Sequence, residues 1–182
     1  MKIDPAIIAI AAENVRAEIL TDKPPTLKLD PGIVAKIKEK VPVFSGMGLD
    51  CLLRTLAMAE YYPVQASEVV FNEGDIGDSF FVVVTGEVRV EKQGNGRAVE
   101  LARLGAGECF GEMALVGNHV RSATVRAAVQ TTTMRFYRER VDANPESAHV
   151  IYRNIARILA ARLDESSEML AELVGGKRTP AL

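Results

Sequence analysis

Glu112 and Arg121 stand nine residues apart in a glycine-punctuated stretch, 105–127, whose core runs Phe110-Gly111-Glu112-Met113-Ala114-Leu115. The residues from Gly111 to Leu115 suit a single helical turn inserted between strands. The first N–H groups of such a turn have no partner within it, and its dipole favours negative charge, so it can cradle an anion. Arg121 would return over the same turn with a planar, permanently charged fork that fits a phosphate. A carboxylate beside it accepts hydrogen bonds from sugar hydroxyls. Together these parts suit a phosphorylated sugar. Taken singly, each has an ordinary reading: Glu112 as an acid in a helix's first turn, Arg121 as a surface arginine paired with it. Their spacing behind Phe110-Gly111 favours the ligand.

Other chemistries lack their residues. The chain has two histidines, His119 and His149, which fall outside the strands and read as surface or turn residues. A metalloenzyme of the cupin type needs a cluster of histidine and carboxylate ligands, which these do not supply. A nucleophile elbow, a His-Glu-x-x-His pair and a P-loop are also missing. The expectation is no catalytic residue, no metal and no enzyme activity. Cys51 and Cys109 are far apart without Cys-x-x-Cys spacing, which implies reduced thiols rather than a disulfide framework or a zinc site.

Charge narrows the partners. Twenty-two Lys and Arg against 24 Asp and Glu give a net −2 over 182 residues. The balance is even: 8 basic and 8 acidic side chains in 1–60, 9 and 10 in 61–140, 5 and 6 in 141–182. No segment carries the basic excess that a nucleic acid or an anionic membrane demands. The apolar run Ala6–Ala12 is far shorter than the ~20 residues of a bilayer span, and no cleavage signal follows it. A soluble, cytoplasmic protein is expected.

The elements that must hold the site change period twice. Asp4-Pro5 starts an amphipathic helix that runs to Leu20, and Thr21-Asp-Lys-Pro-Pro stops it and opens a linker over 21–29. Asp30-Pro31 repeats the start signal ahead of Ile33, Ile37 and Val41, and a further helix is expected from about Leu49 to Glu60. From Tyr61 the pattern alternates, with strands at 61–65, 69–71, 80–84, 88–90, 99–101, 123–128 and 133–137. Gly, Asn and Asp turns separate them. Asn144-Pro145-Glu146 then opens one long helix with no breaker before Gly175-Gly176. The fold class is α+β: an antiparallel, jelly-roll-like β-roll flanked by N-terminal helices and a long C-terminal helix.

Phe110-Gly-Glu-Met-Ala-Leu followed by Arg121-Ser-Ala-Thr-Val resembles the phosphate-binding cassette of the cyclic nucleotide-binding domains found in catabolite activators, kinase regulatory subunits and gated channels. The likeness extends to Val43-Phe-Ser-Gly-Met47, to Phe71-Asn-Glu-Gly-Asp-Ile-Gly-Asp-Ser-Phe-Phe and to Asn144-Pro-Glu, covering about residues 33–175. It implies that Glu112 accepts the ribose 2′-hydroxyl and that Arg121 pairs with the cyclic phosphate. Gly111, Met113, Ala114 and Ala123 would complete the phosphate cradle through the backbone. Ser122, beside the arginine, leans towards cAMP, with cGMP possible. Arg162-Leu-Asp-Glu-Ser166-Ser167 is similar to the activators' lid segment, which makes Arg162, Ser166 and Ser167 candidate base contacts, with the register shifted by about one turn.

On this reading 1–30 is an N-terminal helix and linker, and 31–143 is the nucleotide-binding domain with its cassette at 110–125. Residues 144–175 form a lid and dimerisation helix, and 176–182 a flexible tail. Tyr152, Ala156, Leu159, Leu163, Leu170 and Leu173 recur at three-four spacing, a stripe suited to a partner helix in a homodimer. Nine residues follow Leu173, so the helix-turn-helix of the activators is not expected. The function expected is a stand-alone cyclic-nucleotide sensor that signals through its C-terminal helix to a further protein. The competing expectation is the same roll kept as a ligandless interaction or dimerisation domain.

Overall fold

The computed structural model describes Ile37, residues 39–94 and residues 96–175. The expected helix over 4–20, the 21–29 linker and the 176–182 tail lie outside the described residues.

A 3-10 turn at Pro42–Phe44 leads into α1 (Leu49–Ala57). Gly48 caps α1, Asp50 lies in its first turn, and Arg54 bonds back to Asp50 at 2.5 Å in the favourable i,i+4 order. The expected helix to Glu60 stops three residues early. Tyr-Tyr-Pro-Val is claimed by strand β1 (Glu60–Val64), an edge position where Pro63 costs no essential ladder bond.

Seven further strands follow: β2 (Val69–Phe71), β3 (Ser79–Thr85), β4 (Glu87–Gly94), β5 (Arg97–Gly105), β6 (Cys109–Phe110), β7 (Thr124–Ala127) and β8 (Thr131–Tyr137). They form two four-stranded antiparallel sheets, in the orders β1-β8-β3-β6 and β2-β7-β4-β5. The short β6 was not expected. Only two residues lie between glycine turns there, and pairing with Phe81 and Val82 of β3 makes them a strand.

The run Ser79-Phe-Phe-Val-Val-Val shows how the roll is filled. All six side chains are buried, but alternation sends them to different cores. Phe80, Val82 and Val84 face the helices and join Phe44, Leu52, Phe136, Ile151 and Ile155. Phe81 and Val83 face into the roll with Val88, Leu104, Phe110 and Val125. Phe80 stacks on Phe136 at 4.9 Å and Phe81 on Phe110 at 5.0 Å between ring centroids. Each such fully buried ring contributes roughly 1.5–3 kcal/mol.

Between β6 and β7 sits the expected single turn, α2 (Met113–Val116), and after β8 comes α3 (Arg138–Asp142), a short helix not anticipated from the sequence. The last element is α4 (Pro145–Gly175). It begins where Asn144-Pro145 predicts, and Asn144 Oδ1 accepts the Ser147 N–H at 3.2 Å. Its first half lies on the helical core through Ile151, Asn154 and Ile155, all 2% exposed or less. The Asn154 amide donates to the carbonyls of Val43 at 3.0 Å and Ser45 at 2.8 Å, fixing α4 to the 3-10 turn. The predicted stripe divides: Tyr152 and Leu159 pack against this core, and its distal leucines do not. Ala156 is exposed, and Leu163, Leu170 and Leu173 stand 61–67% exposed on the far half of the helix.

Candidate functional site

Three backbone contacts fix the stretch that carries Arg121. Its N–H donates to the Asp75 carbonyl at 2.8 Å, its carbonyl accepts from Gly74 at 2.9 Å, and Gly77 N–H donates to the His119 carbonyl at 2.7 Å. The turn after β2 thus clamps the residues ahead of β7 and drives the Arg121 side chain inward, to 5% exposure. Gly111 turns β6 into α2 with φ 76°, a left-handed conformation that suits glycine. A Cβ at that position would fall 2.7 Å from Arg121 Nη1.

Arg121 is held by neutral groups. Nη1 donates to the carbonyls of Ser79 at 2.7 Å and Gly111 at 2.8 Å, and Nη2 donates to Ser79 Oγ at 3.3 Å. The guanidinium lies 4.1 Å from the Phe71 ring centroid. Arg135 donates to the same Ser79 hydroxyl through Nε at 3.0 Å. Among the described residues no carboxylate lies within salt-bridge distance of Arg121. Burial pulls its pKa below the ordinary arginine value, opposed by Asp78, yet a guanidinium stays charged in a protein. A buried cation without a counter-ion is costly and is a site for an anion.

Glu112 stands at the N-cap position of α2, makes no side-chain capping bond and is 2% exposed. Its Oε1 accepts Arg162 Nη1 from α4 at 2.6 Å, while Oε2 is buried without a partner. Arg162 Nη2 also donates to the Cys109 carbonyl at 2.7 Å. Burial raises the Glu112 carboxyl above its ordinary value, against the pull of Arg162. The Cys109 thiol is pushed up to about 12 by burial and then by Glu112, which leaves it protonated and unreactive.

These groups surround a cavity of about 70 Å³, with Phe71, Val90, Leu104 and Val125 forming its apolar side. Eight of the ten expected site residues line it: Gly111, Glu112, Met113, Ala114, Arg121, Ser122, Ala123 and Arg162. The structure does not bring Ser166 and Ser167 there. Both are exposed, and their hydroxyls donate to the carbonyls of Arg162 and Leu163 one turn back, each at 2.8 Å. Arg162 was expected at a base, and in the structure its fork is on Glu112. Glu112 and Arg121 are not paired with each other, as the ordinary reading of those residues would have it. Phe71, Gly77 and Ser79, which shape the arginine's bed, were not anticipated, because pairing of β2 and β3 with distant strands brings them there. Among the described residues no group of three or more His, Cys, Asp or Glu could hold a metal ion, and no helix is long and apolar enough to cross a membrane.

The eight-stranded roll with its inserted turn is a fold seen in known proteins. Residues 63–143 match the cyclic nucleotide-binding domain family. The chain is 31% identical over 126 residues to the cyclic AMP receptor protein of Thermus thermophilus, covering 69% of this chain and 58% of that protein. It is 34% identical over 98 residues to the cAMP-dependent protein kinase regulatory subunit of Schizosaccharomyces pombe, covering 54% of this chain and 23% of the relative. The crystal structure of the Thermus thermophilus catabolite activator protein superposes with a TM-score of 0.67 at 30% identity, over 73% of this chain and 63% of that one. The chain therefore spans little more than half of the first relative and under a quarter of the second.

Proposed function

We propose that this protein is a cyclic-nucleotide sensor whose ligand is cAMP, with cGMP the second candidate. The observation that carries the reading is Arg121, a buried guanidinium without a carboxylate partner among the described residues, lining the same cavity as Glu112, whose Oε2 is unpartnered. The cyclic phosphate neutralises Arg121, and the ribose 2′-hydroxyl donates to Glu112. Ser122 and the cAMP-linked names of the relatives support cAMP over cGMP. Because Arg162 of α4 shares Glu112 with the ribose, occupancy is felt directly by the C-terminal helix. Ser166 and Ser167 reach a base only if α4 moves inward from its present position.

The output is a change in α4 rather than a reaction. It passes to a further protein in the cytoplasm, or to a second copy through the exposed stripe, with neither nucleic acid nor membrane involved. Residues 31–143 act as the sensor and 144–175 as lid and dimer helix. The test is calorimetric titration of the nucleotide-stripped protein with cAMP, cGMP and cyclic dinucleotides, together with melting curves. At a hundredfold excess over Kd, a ligand of the folded state adds ~2.7 kcal/mol of stability. A melting temperature indifferent to every cyclic nucleotide would leave the roll as a ligandless interaction domain.

A further inference from the structure

The cassette turn is gripped from its outer side by a residue that belongs to neither the cassette nor α4. Arg138, the first residue of α3, is anchored through its backbone N–H, which donates to the Asp78 carbonyl at 2.7 Å. From there its guanidinium reaches the cassette turn. Nη2 donates to the Ala114 carbonyl within α2, and Nη1 lies 3.3 Å from His119 Nε2, in the loop that follows the turn. His119 takes a left-handed φ of 64°, uncommon for a residue with a side chain, so the loop bends sharply where Arg138 meets it. The remaining donor, Nε, is buried without a partner.

Ala114 is 1% exposed and lines the cavity that holds Glu112 and Arg121. α2 is a single turn of four residues, too short to hold its own conformation. Its position depends on what grips it, and Arg138 grips both the turn and the loop beyond it.

We propose that Arg138 is a positioning residue of the nucleotide site, holding the Met113–His119 turn where its backbone N–H groups can meet the cyclic phosphate. This rests on the reading of the cassette as a cyclic-nucleotide site. Arg138 does not touch the nucleotide; it acts through Ala114. Lysine at the same place keeps one charged donor that reaches the Ala114 carbonyl and gives up the second arm. Methionine keeps the length of the apolar stem and no donor.

The experiment compares wild type, Arg138→Lys and Arg138→Met by cAMP titration, stopped-flow dissociation and amide exchange. In Arg138→Met the amides of 113–119 exchange faster than in wild type before any nucleotide is added. cAMP affinity falls about tenfold, mostly through faster dissociation, and Arg138→Lys recovers part of both effects. Exchange in β3 and β8 stays at wild-type rates, which separates loss of the tether from general loosening of the roll. Wild-type affinity and wild-type exchange over 113–119 in Arg138→Met overturn the tether. Exchange that rises equally in β3 and β8 also overturns it, as the sign of a merely structural residue. A wild type that binds no cyclic nucleotide overturns the ligand reading and this proposal together, whereas a wild type that binds alongside an equally competent Arg138→Met overturns this proposal alone.

Discussion

A Cβ at position 77 would fall 2.5 Å from Cζ of Arg121 and 2.9 Å from its Cδ. Gly77 and the Phe71 ring are the two sides of the slot in which the Arg121 guanidinium lies. Alanine at 77 cannot share that space, and the arginine must leave its bonds to Ser79 and Gly111. We expect Gly77→Ala to lower cyclic-nucleotide affinity by at least about tenfold, a loss of ~1.4 kcal/mol, while far-ultraviolet circular dichroism stays that of the wild type. Undiminished affinity in calorimetry would mean that Arg121 does not need this position.

On the proposed reading, Arg121→Ala removes the charge-assisted bonds to the cyclic phosphate. At ~1.5–3 kcal/mol for each of two bonds the affinity should fall by at least about a hundredfold. Arg121→Lys should recover little, since an ammonium cannot reproduce the fork. Normal binding by Arg121→Ala in a calorimetric titration would contradict the cassette assignment.

The Glu112–Arg162 pair makes a pH prediction with two opposite signs. Burial raises the Glu112 carboxyl above its ordinary 4.5. A carboxyl raised on folding holds its proton more tightly in the folded chain than in the unfolded one. Its contribution to stability is therefore fullest below the unfolded value and is lost as pH rises through the folded value. Wild type should gain in melting temperature relative to Glu112→Gln as neutral solution is acidified through that window. On the proposed reading, cAMP affinity should run the other way, because a protonated Glu112 gives up the charge that holds Arg162 and an acceptor for the ribose. Affinity should fall on acidification in wild type and change less in Glu112→Gln. Parallel pH profiles for the two proteins, in melting and in titration, would rule out this role for the carboxyl.

Asn154→Ala tests what holds α4 to the rest of the fold. Two hydrogen bonds disappear and the carbonyls of Val43 and Ser45 lose a donor, at a cost of about 1–3 kcal/mol. Melting temperature should fall by several degrees, at roughly 2–4 °C per kcal/mol in a protein of this size. A melting curve unchanged from wild type would show that α4 is held by its apolar face alone.

The exposed half of α4 bears on assembly. Leu163, Leu170 and Leu173 lie along one side at 61–67% exposure, beyond the reach of the roll. We expect a dimer through this face, and Leu163→Asp with Leu170→Asp should shift light scattering to the mass of a monomer. A wild type that is monomeric at high concentration, with and without cAMP, would end the dimer proposal.

Where the structure departs from expectation, the signal was not local. Asn144-Pro145 announced α4 because a cap and an N1 proline act within one turn, and Phe110-Gly-Glu announced the cassette because its residue types are adjacent. α3 was not anticipated, since five residues with only Val141 buried carry no periodicity. β6 has two residues and becomes a strand only because β3 lies beside it. The leucine stripe on α4 was legible as a stripe, but which face meets the roll is decided by Ile151, Asn154 and Ile155 against Phe44 and Phe136, residues far apart in the chain.

By itself the sequence determined what acts over a few residues: the alternation that splits β3 between two cores, the glycine turn that exposes the first N–H groups of α2, and the presence of one carboxylate and one guanidinium at cassette spacing. Only the tertiary structure decided how those two charges are used. Arg121 rests on carbonyls because β3 and β6 bring Ser79 and Gly111 beneath it, and Glu112 meets Arg162 because α4 folds back across a separation of fifty positions in the chain. Local preferences set φ, ψ and periodicity. The direction of a side chain's charge depends on strand register and helix docking, which form only when the whole roll closes.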